Sequence, residues 1–185
     1  MKTKKALFTL LLFIIAVVSN AQDYKKGIVN DFDKYNALIN AKSFEKALEY
    51  IAPEFFQIHP KSEFLKLMQV AVNDPSFLTQ KTTLYEIADA QKIENKYYSL
   101  LTYSIQMRIK VVHEKNKTED DKEQLITFTK SVYNDMYGPE NVLYNKETET
   151  FEILDERPGY AVSIDGQKNW KFFFAEKHYM AKLKE

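Results

Sequence analysis

The amino-acid sequence predicts an α+β fold in which helices come first and antiparallel strands follow. Between residues 28 and 52, apolar side chains recur with the three- and four-residue spacing of one helix face. Residues 100–114 instead alternate between apolar and polar side chains, which is typical of a half-buried strand. Turn-forming residues then divide the C-terminal part into short strands. This order favours separate helices and a strand meander over alternating strands and helices.

The first residues have the pattern of an export signal. A basic start precedes the apolar run 6–18, and Ser19-Asn20-Ala21 supplies small residues for cleavage. A helix over this run would be about 20 Å long, shorter than the roughly 30 Å hydrocarbon layer. We expect a cleaved signal peptide over residues 1–21 and one domain over residues 22–185, in the periplasm or secreted. An uncleaved membrane anchor is the alternative. The junction resembles that of exported proteins of Bacteroidota.

Three helices are predicted before the strands. The apolar positions of the first two are Phe32, Tyr35, Leu38, Ile39, Phe44, Ala47, Leu48 and Ile51. A break at residues 40–43 would place Ser43 at the N-cap of the second helix, which Pro53 would end. Pro60 opens the third helix, and Pro75 follows its end.

A hairpin is predicted from strands 82–93 and 97–112 around a turn at residues 94–96. In the second strand, the odd positions from Leu101 to Val111 are apolar and the even positions from Thr102 to Lys110 are polar. The sequence therefore predicts one buried and one solvated face, and a register shift of one residue would exchange them.

A long helix is predicted to begin after Thr118. Thr118 and Asp121 fit a capping box, and Gly138-Pro139 ends the helix. Its predicted inward stripe is Leu125, Phe128, Thr129, Val132 and Met136. Short strands are then expected at residues 142–144, 148–154, 160–164 and 169–174, with turns at 145–147, 157–159 and 165–166.

Two segments, YNALINAKSFEKALEYIAPEFF at 35–56 and YAVSIDGQKNWKFFF at 160–174, carry a resemblance to the NTF2-like superfamily. The order of the elements across the mature chain is also similar to that superfamily. The resemblance implies a cone-shaped α+β fold, in which N-terminal helices pack on a curved antiparallel sheet. It further implies a cavity at the wide end of the cone, toward which the odd face of residues 101–111 would point.

The composition argues against several classes of site. The chain has no cysteine, so disulfides, thiolate metal sites and cysteine nucleophiles are excluded. Lys plus Arg and Asp plus Glu number 26 each and are interspersed, which gives no basic stripe for nucleic acid or an anionic membrane. Phosphate-binding loops, nucleophile elbows and local histidine metal patterns are also lacking in the sequence. We expect no cofactor, no metal, no nucleic acid partner and no membrane contact after signal cleavage.

Asp89 and His113 are the candidates for acid–base chemistry. An inward Asp89 would have its pKa raised by desolvation and could act as a base, whereas an Asp89 on an edge strand would face solvent. His113 follows Val111 on the same nominal face and could be a general base at the rim of the cavity. The charged residues after His113 favour a solvated strand end instead, and no acid stands at a local spacing that would orient it.

Tyr103, Met107, Trp170 and Phe172 are the candidates for ligand binding. On the inward face, the phenol of Tyr103 could hydrogen-bond a ligand and the thioether of Met107 could adapt to its shape. The rings of Trp170 and Phe172 could stack on a flat ligand. For all four residues, ordinary core packing is the alternative.

The leading hypothesis is an exported, non-catalytic module that binds a small apolar or aromatic ligand or another protein. A homodimer through the polar face of residues 102–110 is a further expectation. The alternative is a small-molecule lyase, isomerase or hydrolase that uses Asp89 or His113 together with Tyr103. A third hypothesis is an interaction role with a solid core and no pocket.

Overall fold

The computed structural model describes residues 23–174 of the chain. Within this range, the protein is an α+β structure with four α-helices and one six-stranded antiparallel sheet. The predicted signal peptide over residues 1–21 lies outside the described residues. No helix within residues 23–174 is both long and apolar enough to span a membrane.

Three α-helices precede the first strand and one lies between β3 and β4, so helices and strands do not alternate as in an α/β protein. The helices are α1 over residues 23–40, α2 at Phe44–Ala47, α3 at Lys61–Asn73 and α4 at Glu119–Tyr137. Short 3₁₀ helices occupy Leu48–Tyr50, Pro53–Gln57 and Pro139–Asn141. The strands are β1 at Phe77–Ile87, β2 at Gln91–Ile93, β3 at Lys96–Lys110, β4 at Val142–Asn145, β5 at Thr150–Ser163 and β6 at Lys171–Phe173. In the sheet the order is β1-β3-β5-β4, while β2 pairs with β3 and β6 pairs with β5.

The described chain divides into two compact units. The first unit contains residues 23–58, Glu86–Leu101 and 159–174, and the second contains His59–Tyr85 and Thr102–Pro158. Strands β1, β3 and β5 each contribute residues to both units.

The core of the first unit is aromatic. Trp170, Phe32 and Phe172 are fully buried, and the rings of Phe32 and Phe172 meet edge to face at a centroid distance of 5.2 Å. On the other side of β6, Phe173 packs against Phe55 at 5.9 Å. The backbone N–H of Trp170 donates to the Asp31 carboxylate at 3.0 Å. These contacts attach β6 to α1 and to the second 3₁₀ helix.

The core of the second unit centres on Phe151, which is fully buried. Its ring lies 5.2 Å from that of Tyr133 on α4 and 4.9 Å from that of Tyr144 on β4. The β4–β5 register places Tyr144 opposite Phe151 and Val142 opposite Ile153. Helix α4 therefore packs on the hairpin formed by β4 and β5.

The alternation predicted for β3 is confirmed in part. Its odd positions are buried or half-buried, namely Leu101, Tyr103, Ile105, Met107 and Ile109, and Val111 just after the strand is also buried. Of the even positions, Gln106 and Lys110 are exposed as predicted, whereas Thr102 and Arg108 are half-buried. Ser104 is buried, and its hydroxyl donates to the Tyr85 phenol at 3.0 Å.

Strand β5 differs from the sequence expectation, because it continues through the segment 157–159 that was predicted to be a turn. Strand β4 pairs with Thr150–Ile153, and β6 pairs with Tyr160–Val162. Pro158 therefore lies between the residues that pair with β4 and those that pair with β6. Because proline has no backbone N–H to donate, this position interrupts neither of these two pairings. Strand β1 also differs, since it begins at Phe77 and ends at Ile87, and residues 88–90 separate it from β2.

The second predicted helix is also shorter than expected. Helix α2 covers four residues and passes into a 3₁₀ helix rather than continuing to Ile51. Ser43 occupies the predicted N-cap, but among the described residues its side chain makes no capping hydrogen bond. The third helix agrees well, because α3 begins after Pro60 and ends before Pro75.

The inward face of α4 was predicted incorrectly. Only Thr129 of the predicted stripe is half-buried, whereas the other four members are exposed. Helix α4 instead directs Ile126, Tyr133 and Tyr137 toward the core. Two apolar series with helical spacing overlap in this helix, and the series that contains two tyrosine rings covers Phe151. We call the exposed series the outer stripe, and its members are Leu125, Phe128, Val132 and Met136.

Candidate functional site

Asp89 faces solvent, as the second of its two interpretations expects, but it lies between β1 and β2 rather than on an edge strand. Its carboxylate forms an ion pair with Lys25 at 2.9 Å and accepts a hydrogen bond from the Tyr24 hydroxyl at 3.3 Å. The hydrogen bond and charge of Lys25, with a smaller contribution from Tyr24, lower the pKa of the carboxyl group. Asp89 therefore lacks the burial that a base of raised pKa requires, and it serves to attach α1 to residues 88–90.

His113 is more enclosed than a solvated strand end would be, since its side chain is only 12% exposed. Its Nε2 atom lies 3.5 Å from a carboxylate oxygen of Glu149. Within residues 23–174, neither ring nitrogen has a hydrogen-bond partner. The Glu149 backbone has a φ of 51° and its carbonyl accepts a hydrogen bond from the Val111 N–H at 2.8 Å. An acid beside His113 therefore exists, but it comes from the turn before β5 and has no local sequence signal.

Tyr103 lies in the second unit and is almost completely buried. Burial raises the pKa of Tyr103 to about 12, and the nearby charges of Arg157 and Asp155 have smaller, opposing effects. At neutral pH the phenol is therefore protonated, so it can donate a hydrogen bond but cannot act as a base. Met107 is half-buried against the Phe151 core of the same unit.

Replacing Tyr103 with Phe should flatten the alkaline pH dependence of stability. The folded-state pKa is about 12 against an ordinary value of 10.0, so only the unfolded chain loses this proton between those pH values. Stability is therefore retained below pH 10 and lost as the pH rises, by about 1.4 kcal/mol per pH unit for this group. Urea unfolding of the Tyr103→Phe protein near pH 11 should show a smaller loss than the parent protein. An identical loss of stability in both proteins would contradict the raised pKa of Tyr103.

Trp170 and Phe172 belong to the first unit, where both are fully buried. The Trp170 ring lies 6.1 Å from that of Tyr24, and the Phe172 ring also contacts Tyr35 at 6.2 Å. Both side chains are therefore packed in the core, as the alternative to ligand binding expects. The structure brings Trp170 and Phe172 into one core, and Tyr103 and Met107 into the other unit.

The outer stripe of α4 is the main candidate site. Phe128 is 69% exposed and Met136 is 64% exposed, although both are large apolar side chains. The spacing of three, four and four residues places all four members on one side of the helix, in a row about 16 Å long. Exposed apolar rows of this kind mark surfaces that bind a partner.

Helix α4 has hydrogen bonds at both of its ends, on either side of this row. The Asp121 N–H donates to the Thr118 hydroxyl at 3.2 Å, and the Thr118 N–H donates to the Asp121 carboxylate at 3.0 Å, which confirms the predicted capping box. At the other end, the Gly138 N–H donates to the Asn134 carbonyl at 2.9 Å. Because the helix is already ordered, a partner that binds the outer stripe pays little conformational entropy.

Helix α3 adds a second exposed apolar region in the same unit. Leu67 and Val70 are both more than half exposed. A shallow depression of about 500 Å³ lies beside them and is lined by Lys66, Gln69, Val70, Asn73, Asp74 and Pro75. Asp74 accepts hydrogen bonds from the backbone and hydroxyl of Ser76, so its carboxylate already caps the start of the next segment. The outer stripe is the longer of these two surfaces.

Among residues 23–174, no three or more His, Asp and Glu side chains cluster in a way that could hold a metal ion. The polar face of β3 carries a contact between Arg108 and Glu152 at 3.8 Å, next to the exposed Gln106. In comparisons with known proteins, no protein-family model, curated protein or solved structure matches this chain.

Proposed function

We propose that the protein is a non-catalytic interaction module that binds another protein through the outer stripe of α4. The observation that carries this proposal is the exposure of Leu125, Phe128, Val132 and Met136 in one row. The opposite side of the same helix packs on Phe151, so the row is not part of the core. Apolar rows on ordered helices are a common means of recognising a second protein segment.

The size of the exposed side chains supports a protein partner. Fully covering a Phe or Met side chain contributes about 1.5–3 kcal/mol, and Phe128 and Met136 both retain most of that surface. Aromatic side chains near the centre of an interface commonly supply most of its binding energy. Phe128 occupies that position in the outer stripe, with Leu125 and Val132 on either side.

We further propose that the fold is NTF2-like and that the protein works in the periplasm or outside the cell. The order of helices and antiparallel strands supports the first part, and the basic and apolar start of the sequence supports the second. A small ligand on the inward face of β3 and a homodimer through its polar face remain predictions. Native mass spectrometry of protein recovered from a Gram-negative host tests export, dimerisation and ligand binding together. The three readouts are the starting residue, the subunit count and any bound molecule.

The alternative function, a small-molecule lyase, isomerase or hydrolase, retains one supporting observation. His113 lies close to Glu149, and a carboxylate can orient a histidine that acts as a base. This alternative now depends on His113 and Glu149, because Asp89 is exposed with a lowered pKa.

Photo-crosslinking from single positions on α4 tests the interaction function. A photoreactive phenylalanine analogue at position 128 or 136 should give one discrete adduct in the producing cell, because both positions belong to the outer stripe. The same analogue at Thr127, which is exposed and is not three or four positions from any member of the outer stripe, provides the control and should give little of that adduct. Equal adducts from positions 128 and 127 would mean that the outer stripe is not the binding surface.

A further inference from the structure

We infer that the partner presents a basic amphipathic helix, whose apolar side chains are flanked by Lys or Arg. This inference rests on the proposed function and adds the chemistry of the partner. It follows from the distribution of charge on α4, whose acidic residues are Glu119, Asp120, Asp121, Glu123 and Asp135. The same helix contains only two basic residues, Lys122 and Lys130.

Two of these five acidic residues, Asp121 and Asp135, lie beside the outer stripe. Asp121 precedes Leu125 by one helical turn, and Asp135 follows Val132 by three positions, so both lie along the stripe. Between them, Gln124 completes a flank that is polar and acidic.

The two lysines lie nearer the core side of the helix, although Lys122 also precedes Leu125 by three positions. Lys122 and Lys130 stand one turn before and one turn after Ile126, which faces the core. Lys122 is also paired with Glu119 at 2.6 Å. Within α4, the flank of the outer stripe that points away from the core therefore has no basic side chain, although Lys117 just before the helix also acts on Asp121.

The negative charge of this flank favours a basic binding partner over an anionic one. Hydrogen bonds from Thr118 lower the pKa of Asp121, so its carboxylate is ionised at neutral pH. Basic side chains on a partner helix would pair with Asp121 and Asp135 at the rim, which favours fast and oriented association. An anionic membrane would be repelled by the same acids. A second copy of α4 in antiparallel contact would bring two acidic flanks together.

Two designed helical peptides of about 14 residues provide the probes. Both carry leucines along one face, and the flanks are lysine in one peptide and glutamate in the other. The purified protein should bind the lysine peptide at least about tenfold more tightly at low ionic strength, and added salt should reduce the difference. The Gln124→Lys and Asp135→Lys double variant keeps the capping box and should lose this preference.

Two further variants separate the apolar contribution from non-specific adsorption. Phe128→Asp should abolish binding of the lysine peptide, whereas Ile164→Asp should not, because Ile164 is 78% exposed on the first unit. Equal binding of both peptides, or an unchanged preference in the double-lysine variant, would overturn this inference. If the crosslink from position 128 persists in that case, the proposed interaction function still stands. If the protein forms a dimer that the Phe128→Asp substitution dissociates, the outer stripe binds a second copy of the chain. That result would overturn the inference of a basic partner.

Discussion

Trp170→Ala should lower the free energy of unfolding by about 3–5 kcal/mol, which is typical of removing a buried tryptophan side chain. Trp170 is fully buried, and its ring fills the space between Tyr24 and Gly27 of α1. A Cβ atom added at Gly27 would lie 2.7 Å from the Gln167 carbonyl and 3.3 Å from the indole nitrogen, so the α1 backbone lies close against the Trp170 ring. The urea midpoint should fall without a change in the slope of the transition.

Trp170→Phe is the matched control and should lose less than half as much stability. Within the described residues, the indole nitrogen of Trp170 has no hydrogen-bond partner, so phenylalanine removes a buried polar group as well as volume. If Trp170→Phe were as damaging as Trp170→Ala, the indole nitrogen would have to make a bond that stabilises the first unit. A loss below about 1 kcal/mol in Trp170→Ala would mean that this core is not packed around the indole ring.

Phe151→Ala should have a similar effect on the second unit, again about 3–5 kcal/mol. The Phe151 ring is fully buried and contacts Tyr133 of α4 and Tyr144 of β4. Its removal would leave α4 without its main contact on the β4–β5 hairpin. Chemical unfolding monitored by tyrosine fluorescence and circular dichroism measures the loss.

Phe128→Ala is the control for Phe151→Ala, because it removes the same side chain from an exposed position. Its effect should stay within about 0.5 kcal/mol, as expected for a surface substitution. The difference between the two variants distinguishes the core side of α4 from the outer stripe. A large loss in Phe128→Ala would instead place Phe128 in the core, as the sequence pattern predicted.

Local signals in the sequence predicted the elements that depend on local chemistry. Thr118 and Asp121 are three residues apart, so their capping box could be recognised without any knowledge of the fold. Pro60 and Pro75 delimit α3 for the same reason. The alternation of β3 also follows from local spacing, although Ser104 is buried by its contact with Tyr85 of a neighbouring strand.

Features that depend on distant contacts were missed. Periodicity alone could not choose between Leu125 and Ile126 as the inward position of α4, because the choice depends on which side chains fit Phe151. Glu149 approaches His113 only through the pairing of β3 with the start of β5. The sequence predicts a turn at residues 157–159, but whether Pro158 interrupts a strand depends on which strands lie beside β5. In each case the deciding partner is far away in the sequence.

Cysteine accessibility tests most directly the claim that the outer stripe faces solvent. The chain contains no cysteine, so single substitutions can be labelled with a maleimide without background. Phe128→Cys and Met136→Cys should react nearly as fast as the exposed control Ile164→Cys. Ile126→Cys and Tyr133→Cys should react more slowly, because both positions are half-buried against the Phe151 core. The reverse order, with position 126 fast and position 128 slow, would contradict the assignment of the binding surface.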